Sequence, residues 1–440
     1  MTRRAQFAPL SLTLLLAASA SVPHSAAAQT AKKTSVAKKA PHISVTEQLV
    51  NDAGQAFDRQ DFAAAADLYT KFLADHPDEA FAHFQLAYCD TALKRRDEAI
   101  AEYRKAIALD PKMGAGYLNL GLLLVEKDPA GAAPLLEKAV ELMPGKAEPH
   151  YLAGTALERS GNATSAIAHY REAAKFDESK WEYRIALARA LLVTKRVAEA
   201  EPEFRKSLEL RADYAPARLG LAQCLIAEQK LPEAAEALHS YLESAPNDAE
   251  TRLQLAAVYA DLSRYDEAMK ELDALAAGAA PSPETDRIRV DVLLRSKRYG
   301  EAVEPLRRLV ASTPSDATLH ARLGRVLMQK RDFPAAQQEL VSALRLDPKL
   351  TDALRDLSST YVLADNYPAT LAALDELAKR EEPGAGQWFI RALCYDKMHV
   401  LKEALAAYQK FLALDQGKDP DQSFQARQRS RILKLELDKR

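Results

Sequence analysis

The chain has 440 residues, 62 of them acidic and 60 basic, for a net charge of −2 with histidine neutral, and 48% of the residues are hydrophobic. So much apolar content excludes a disordered chain. The near-balanced charge argues against general nucleic-acid binding, which leans on a strong positive field, and three cysteines are too few for a disulfide scaffold.

The chain opens on a leader. Arg3 and Arg4 form a positive end, Leu10 to Ala20 an apolar stretch, and Ala26-Ala27-Ala28 a small-residue cleavage site. Residues 1–28 read as a secretory signal peptide cleaved near Ala28, with an uncleaved anchor as the alternative. The apolar stretch is short for a membrane span, and no cysteine stands near the cleavage site to take a lipid. The expectation is a periplasmic or secreted protein with no integral membrane span after cleavage. Losing Arg3 and Arg4 with the leader takes the net charge from −2 to −4. Residues 29–45 follow as a basic flexible linker, with QTAKKTSVAKKAPHIS over 29–44 and lysines at 32, 33, 38 and 39. Low apolar content leaves it either a solvated tether or an electrostatic contact to anionic lipid or cell-wall polymer.

From residue 46 to 416 the sequence is periodic. Ala65, Ala99, Ala132, Ala166, Ala200, Ala234, Ala268, Ala302, Ala336, Thr370 and Ala404 fall 33 or 34 residues apart. Each lies in an amphipathic stretch such as RRDEAIAEYRKAIALDP, with apolar residues at helical spacing. A second helical stretch precedes it, carrying a small residue twelve positions before the alanine: Ala53, Ala87, Gly154, Ala188, Ala222, Ala256, Gly324 and Ala392, with Gly121 eleven before. Paired small residues let two antiparallel helices approach closely. Four residues after the alanine stands a large one, Tyr69, Tyr103, Leu136, Tyr170 or Phe204 in the first five units. Proline closes many units, at Pro77, Pro111, Pro144, Pro246, Pro314 and Pro348. A fixed period of this kind predicts an all-α solenoid of eleven helical hairpins.

The small, small, large and proline positions in a 34-residue helix–turn–helix resemble the tetratricopeptide repeat (TPR) family. The resemblance implies a right-handed superhelix whose first helices line a concave groove, with groove-facing side chains at the second, fifth, ninth, twelfth and thirteenth positions of each unit. In units two to four those positions select Phe81, Phe84, Tyr88, Leu118, Leu122 and Tyr151. They form either an exposed partner patch or, where curvature buries them, core. In units eight to ten they select Arg287, Asp291, Arg295, Arg325 and Arg355, either a guanidinium clamp for carboxylate or phosphate or a solvated charged face. The Lys/Asn/Arg carboxylate clamp of chaperone-binding family members is not reproduced.

Three departures stand out. The third unit is one residue short around Asp128 to Gly131, and the eighth carries Val290 at the small position. The segment AAGAAPSP, residues 276–283, is either a joint in the solenoid or one irregular repeat. Pro134, Pro202 and Pro305 fall inside second helices. Residues 417–440 read as a C-terminal capping helix with Phe424, Ile432, Leu435 and Leu433 as its apolar stripe and Arg427, Arg429, Arg431 and Lys434 on its polar outer face.

No HExxH, GxSxG, CxxC or phosphate-cradling glycine loop is present. Cys89, Cys224 and Cys394 share one repeat position in well-separated units and read as buried packing residues. His83, His150 and His320 share another and read as a freely varying, solvated or half-buried position. Acid pairs such as Asp97-Glu98 and Asp266-Glu267 start second helices, where the helix dipole favours them. The expectation is a non-catalytic exported scaffold with no cofactor or metal, binding protein or peptide partners in its groove within a bacterial envelope assembly such as secretion, outer-membrane biogenesis, pilus or polysaccharide export. A glycan-binding or enzymatic subunit acting on envelope polymers is the competing reading.

Overall fold

A computed structural model describes residues 45–278 and 281–438. The leader, the linker up to residue 44, and residues 279 and 280 of the AAGAAPSP segment lie outside the described residues. The described chain is helical throughout and forms two compact bodies, dividing between Ala245 and Pro246.

The first body is six hairpins: α1 (Val45–Asp58) with α2 (Phe62–Asp75), α3 (Ala80–Ala92) with α4 (Arg96–Leu109), α5 (Gly114–Leu124) with α6 (Pro129–Leu142), α7 (Ala147–Arg159) with α8 (Ala163–Phe176), α9 (Trp181–Val193) with α10 (Val197–Leu210), and α11 (Ala215–Ala227) with α12 (Leu231–Ser244). The second body has five: α13 (Ala249–Asp261) with α14 (Tyr265–Gly278), α15 (Pro283–Arg295) with α16 (Tyr299–Ser312), α17 (Ala317–Gln329) with α18 (Phe333–Leu346), α19 (Thr351–Leu363) with α20 (Tyr367–Ala378), and α21 (Ala385–Lys397) with α22 (Leu401–Asp415). A final helix, α23 (Pro420–Asp438), packs on α22. The eleven predicted units are therefore all present.

The alanine ladder is the floor of this packing. Ala65 through Ala404 are all fully buried, and so is Thr370, whose hydroxyl donates to the Asn366 carbonyl at 2.9 Å and so loses no hydrogen bond. The large residue one turn on lies against the small residue of the partner helix. A Cβ placed on Gly121 would come within 2.5 Å of Leu136, one on Gly154 within 2.7 Å of Tyr170, and one on Gly324 within 2.6 Å of Leu340. In the eighth unit Val290 occupies that place at 1% exposure opposite Leu306 rather than a tyrosine, so the extra volume is absorbed.

The hairpin turns repeat one backbone device. The residue five before each ladder position takes a left-handed conformation: Gln60, Lys94, Gly161, Lys195, Gln229, Ser263, Lys297, Arg331, Asp365 and His399. The next N–H then reaches back to the helix, as Arg95 does to the Asp90 carbonyl at 2.8 Å and Arg298 to that of Leu293 at 2.8 Å, closing a Schellman motif. The third unit alone has no left-handed residue in its turn. Its one missing residue is thus the turn residue, and Asp128 instead caps α6 by accepting from the Gly131 N–H at 2.9 Å.

The cap helix differs from expectation. Leu433 is buried, but with it Ser423, Ala426 and Ser430 face α22, while Phe424, Leu435 and Ile432 are exposed by 65%, 62% and 41%. Arg429, expected outside, forks onto Asp396 at 2.6 and 2.7 Å, and the Ser423 hydroxyl donates to Asp415 at 2.9 Å. These two anchors set the helix rotation and turn the small face inward.

Candidate functional site

In both bodies the first helices of neighbouring units touch directly, as α5 does α7, α9 does α11, and α17 does α19. The inner layer of each body is therefore built from first helices, and its surface is where the groove positions fall.

Within the first body the six expected patch residues separate. Phe81 is 38% exposed and stacks on Phe84 at 6.4 Å, but Phe84 itself is buried edge-on against Tyr103. Leu118 and Leu122 are core, at 1% and 5% exposure. Tyr88 and Tyr151 are half-buried. The apolar surface is smaller than expected because the close contacts between first helices cover the fifth and ninth positions of the short third unit. The remaining rings fall in two groups. Tyr88 joins Phe57 and Phe62 at 5.1 and 6.1 Å, while Tyr151 lies 4.9 Å from Tyr183 and 5.9 Å from Tyr170.

The second group carries charge that the sequence reading passed over. The Tyr170 hydroxyl donates to Glu158 at 2.7 Å, and Arg189 reaches the other oxygen of that carboxylate at 3.4 Å. Glu148 and Glu182 occupy the second position of their units, beside these rings. Glu148 makes no hydrogen bond or ion pair, and burial, opposed by the charge of Lys180, pushes its carboxyl pKa up. Glu182 has an oxygen shut off from solvent with no hydrogen-bond partner. Burial, and then the charges of Glu148 and Asp177, hold the Tyr183 phenol above its ordinary range.

The arginines of the second body are already paired. Arg295 bonds Asp261 at 3.0 Å and Asp291 at 3.5 Å, Arg325 bonds Asp356 at 2.7 Å, and Arg355 bonds both Asp352 and Glu381. Two of these contacts, Arg295–Asp261 and Arg325–Asp356, tie one unit to the next, and Arg355–Glu381 ties α19 to the segment that leads into α21. Arg287 is exposed and has no such partner. The group is thus largely a series of internal ion pairs rather than an open guanidinium clamp. Beside it lies a cleft of about 310 Å³ lined by Met269, Asp273, Ala276, Arg289, Pro305 and Arg308. Ala276 stands there at the position where Ile107, Val140, Leu208, Leu242, Val310 and Leu344 stand in six other units, and where Ala174 and Ala378 stand in two.

The histidine position is not freely varying. His83 contacts Glu102 at 2.5 Å and the Pro77 carbonyl at 2.9 Å, and His320 contacts Glu339 at 2.6 Å and the Pro314 carbonyl at 3.1 Å. Arg184 and Arg252 do the same to Glu203 and Glu271. Each pair is nineteen residues apart, so a histidine or arginine on the first helix staples a carboxylate on the second helix of its own unit. In the fourth unit the partner is another histidine: His150 and His169 lie ring to ring at 5.6 Å, each with an unpartnered, solvent-shielded Nδ1. The three cysteines are fully buried and free, and burial lifts the thiol pKa to about 12 for Cys89 and Cys224 and about 11 for Cys394, so they are inert packing residues as expected. Among the described residues no group of three or more metal-ligating side chains converges, and no helix is long and apolar enough to cross a membrane.

The fold and the inner face define a helical-repeat protein whose surfaces are built for contact with other chains. Family models described as tetratricopeptide repeat match residues 55–114, 92–147, 117–180 and 151–215, and again 195–250 and 225–284. The matches together run over more than half of the chain, which belongs to the tetratricopeptide repeat family. Among solved structures it is similar to YrrB, described as a TPR protein with an unusual peptide-binding site, at 22% identity over 42% of this chain and 97% of that one, with a TM-score of 0.40. It is similar to yeast Tom70 at 13% identity over 89% of this chain and 96% of that one, TM-score 0.32. It is also similar to Pseudomonas aeruginosa pilF at 19% identity over 46% and 92% of the two chains, TM-score 0.36. No curated relative matches the chain.

Proposed function

We propose that the chain is a non-catalytic scaffold that holds a protein or peptide segment along the inner face of its first body, and that it does so in a bacterial cell envelope after export. The observation that carries the binding reading is the inner face itself: the exposed Phe81 ring, with half-buried Tyr88 and Tyr151 among further aromatics, on rigid first helices. Preorganised aromatic anchors lower the ordering cost of capturing an extended or helical segment. Export rests on the leader sequence of residues 1–28, and the envelope role on that export together with the partner-binding repeat.

Crosslinking in cell envelopes tests it. A photo-crosslinker at Phe81 or Tyr88 should capture a discrete partner, and one at outward-facing Lys105 should not. Equal capture at all three would remove the groove reading. An N-terminus of the purified protein still beginning at Met1 would remove the cleaved-leader reading, and a reporter fused to the C-terminus that stays on the cytoplasmic side would remove the export reading.

A further inference from the structure

The inner face of the first body carries two carboxylates that the chain does not pair directly, although the charges of Lys180 and Arg189 act on Glu148 and on Tyr151. Several other carboxylates near this layer are matched. Glu102 holds His83, Glu203 holds Arg184, Glu158 accepts from Tyr170 and Arg189, and the groove acids of the second body hold Arg295, Arg325 and Arg355. Glu148 and Glu182 are partly buried without such a partner, on adjacent first helices α7 and α9, and they flank the Tyr151–Tyr183 pair. Asp177 adds to the negative field at Tyr183, and its carboxylate is occupied only by the Ser179 N–H and hydroxyl. Lys180 opposes from the exposed N-terminal edge of α9.

Partly desolvated carboxylates without a cation are costly. A guanidinium or ammonium brought in by a ligand relieves that cost, and tyrosine faces add cation–π attraction. The same charge repels phosphate, so anionic lipid and nucleic acid are poor occupants here. We propose that Glu148, Glu182, Tyr151 and Tyr183 form a subsite for a lysine or arginine side chain of the bound segment, so that the partner is a basic, aromatic-containing peptide. This deepens the groove reading of the proposed function and rests on it.

The test uses the chain without its leader and two labelled probes, an alternating Lys-Phe hexapeptide and its Glu-Phe counterpart, read by fluorescence anisotropy. The Lys-Phe probe is expected to bind and the Glu-Phe probe to bind at least tenfold more weakly. The isosteric double variant E148Q/E182Q should lose about tenfold for Lys-Phe, and Glu-Phe should not weaken further. A thermal melt of that variant at or above the parent Tm shows that the loss is not unfolding. Lys-Phe binding that is unchanged in E148Q/E182Q but weakened in F81A/Y88A would overturn the subsite while leaving the groove reading standing. Failure of both probes, or preference for Glu-Phe, would overturn the subsite as well.

Discussion

The two bodies are built on one backbone code and finished with different side chains. The first body fills several of its hairpins with aromatics against glycine or alanine, as Tyr170 does on Gly154, and leaves Glu148 and an oxygen of Glu182 without a direct partner. The second body spends its charges internally. Arg308 forks onto Asp286 at 2.6 and 2.8 Å, with Asp286 only 2% exposed, and Arg289, Arg295, Arg325, Arg355 and Arg391 each hold a carboxylate. A repeat scaffold thus separates structural from available charge. A paired groove residue holds units together, whereas an unpaired one is open to a partner.

The sharpest way to break this contrast is to remove a structural charge from the second body. Arg308→Met leaves the buried Asp286 carboxylate uncompensated and should cost about 3–5 kcal/mol. The two tryptophans report separately, Trp181 from the first body and Trp388 from the second. In single-tryptophan variants the Trp388 transition should fall steeply and the Trp181 transition should move little, since Arg308 shares a compact body with Trp388 and not with Trp181. Asp286→Asn should cost less, because Arg308 can then turn to solvent. Equal costs would show that the fork is not a desolvated pair.

The first body should instead be most sensitive to volume. Gly154→Ala places a methyl group 2.7 Å from the Tyr170 ring, which is held by Glu158, and should cost about 1–3 kcal/mol in the Trp181 transition. The same substitution at Gly300, where nothing lies within reach of the added carbon, should be neutral or mildly stabilising.

What was legible in the sequence follows from this division. The ladder, the partner small positions and the large residue one turn on are local in register, so eleven hairpins could be read directly. The staples were also present as histidine– or arginine–glutamate pairs nineteen residues apart, at His83/Glu102, Arg184/Glu203, Arg252/Glu271 and His320/Glu339. They become visible only when the two helices of a unit are compared side by side. The rotation of α23 was not legible. Phe424, Ile432 and Leu435 and the set Ser423, Ala426, Ser430 and Leu433 each lie along one side of the helix. The choice between them is made by Asp396, thirty-three residues before Arg429. Likewise, the hydrophobicity of Leu118 and Leu122 says nothing about which side of a first helix the neighbouring unit covers.

Acid should separate the bodies by a smaller amount. Burial, and for His150 also the charge of His169, lowers both imidazole pKa values below 6.5, against the raising influence of Glu172 on His150 and Glu137 on His169. The unfolded chain therefore takes up protons before the folded one as pH falls through about 6.5. The stability these neutral histidines contribute is present above that pH and is lost below it as the folded values are approached. The Trp181 melting temperature should drop over this range more than that of Trp388. His169→Glu would install the staple found in four other units, and it should reverse the trend by giving His150 a carboxylate partner. A drop unchanged in His169→Glu would place the acid sensitivity elsewhere.

The smallest effect tests the half of the comparison that says the backbone is shared. Lys195 in the first body and Lys297 in the second both sit in left-handed turns, at φ 63° and 60°, where a side chain costs about 1 kcal/mol relative to glycine. Gly161 already fills that place in the fourth unit at φ 91°. Lys195→Gly and Lys297→Gly should each raise stability by a few tenths to about 1 kcal/mol, part of the gain being offset by the greater freedom of glycine in the unfolded chain. Gly161→Ala should lower it by a similar amount. The informative quantity is the match between Lys195 and Lys297. If the turn is one device used in both bodies, Trp181 and Trp388 must register equal shifts. Unequal shifts would mean that the strain of each turn is set by its own hairpin, and that the two bodies differ in backbone as well as in surface.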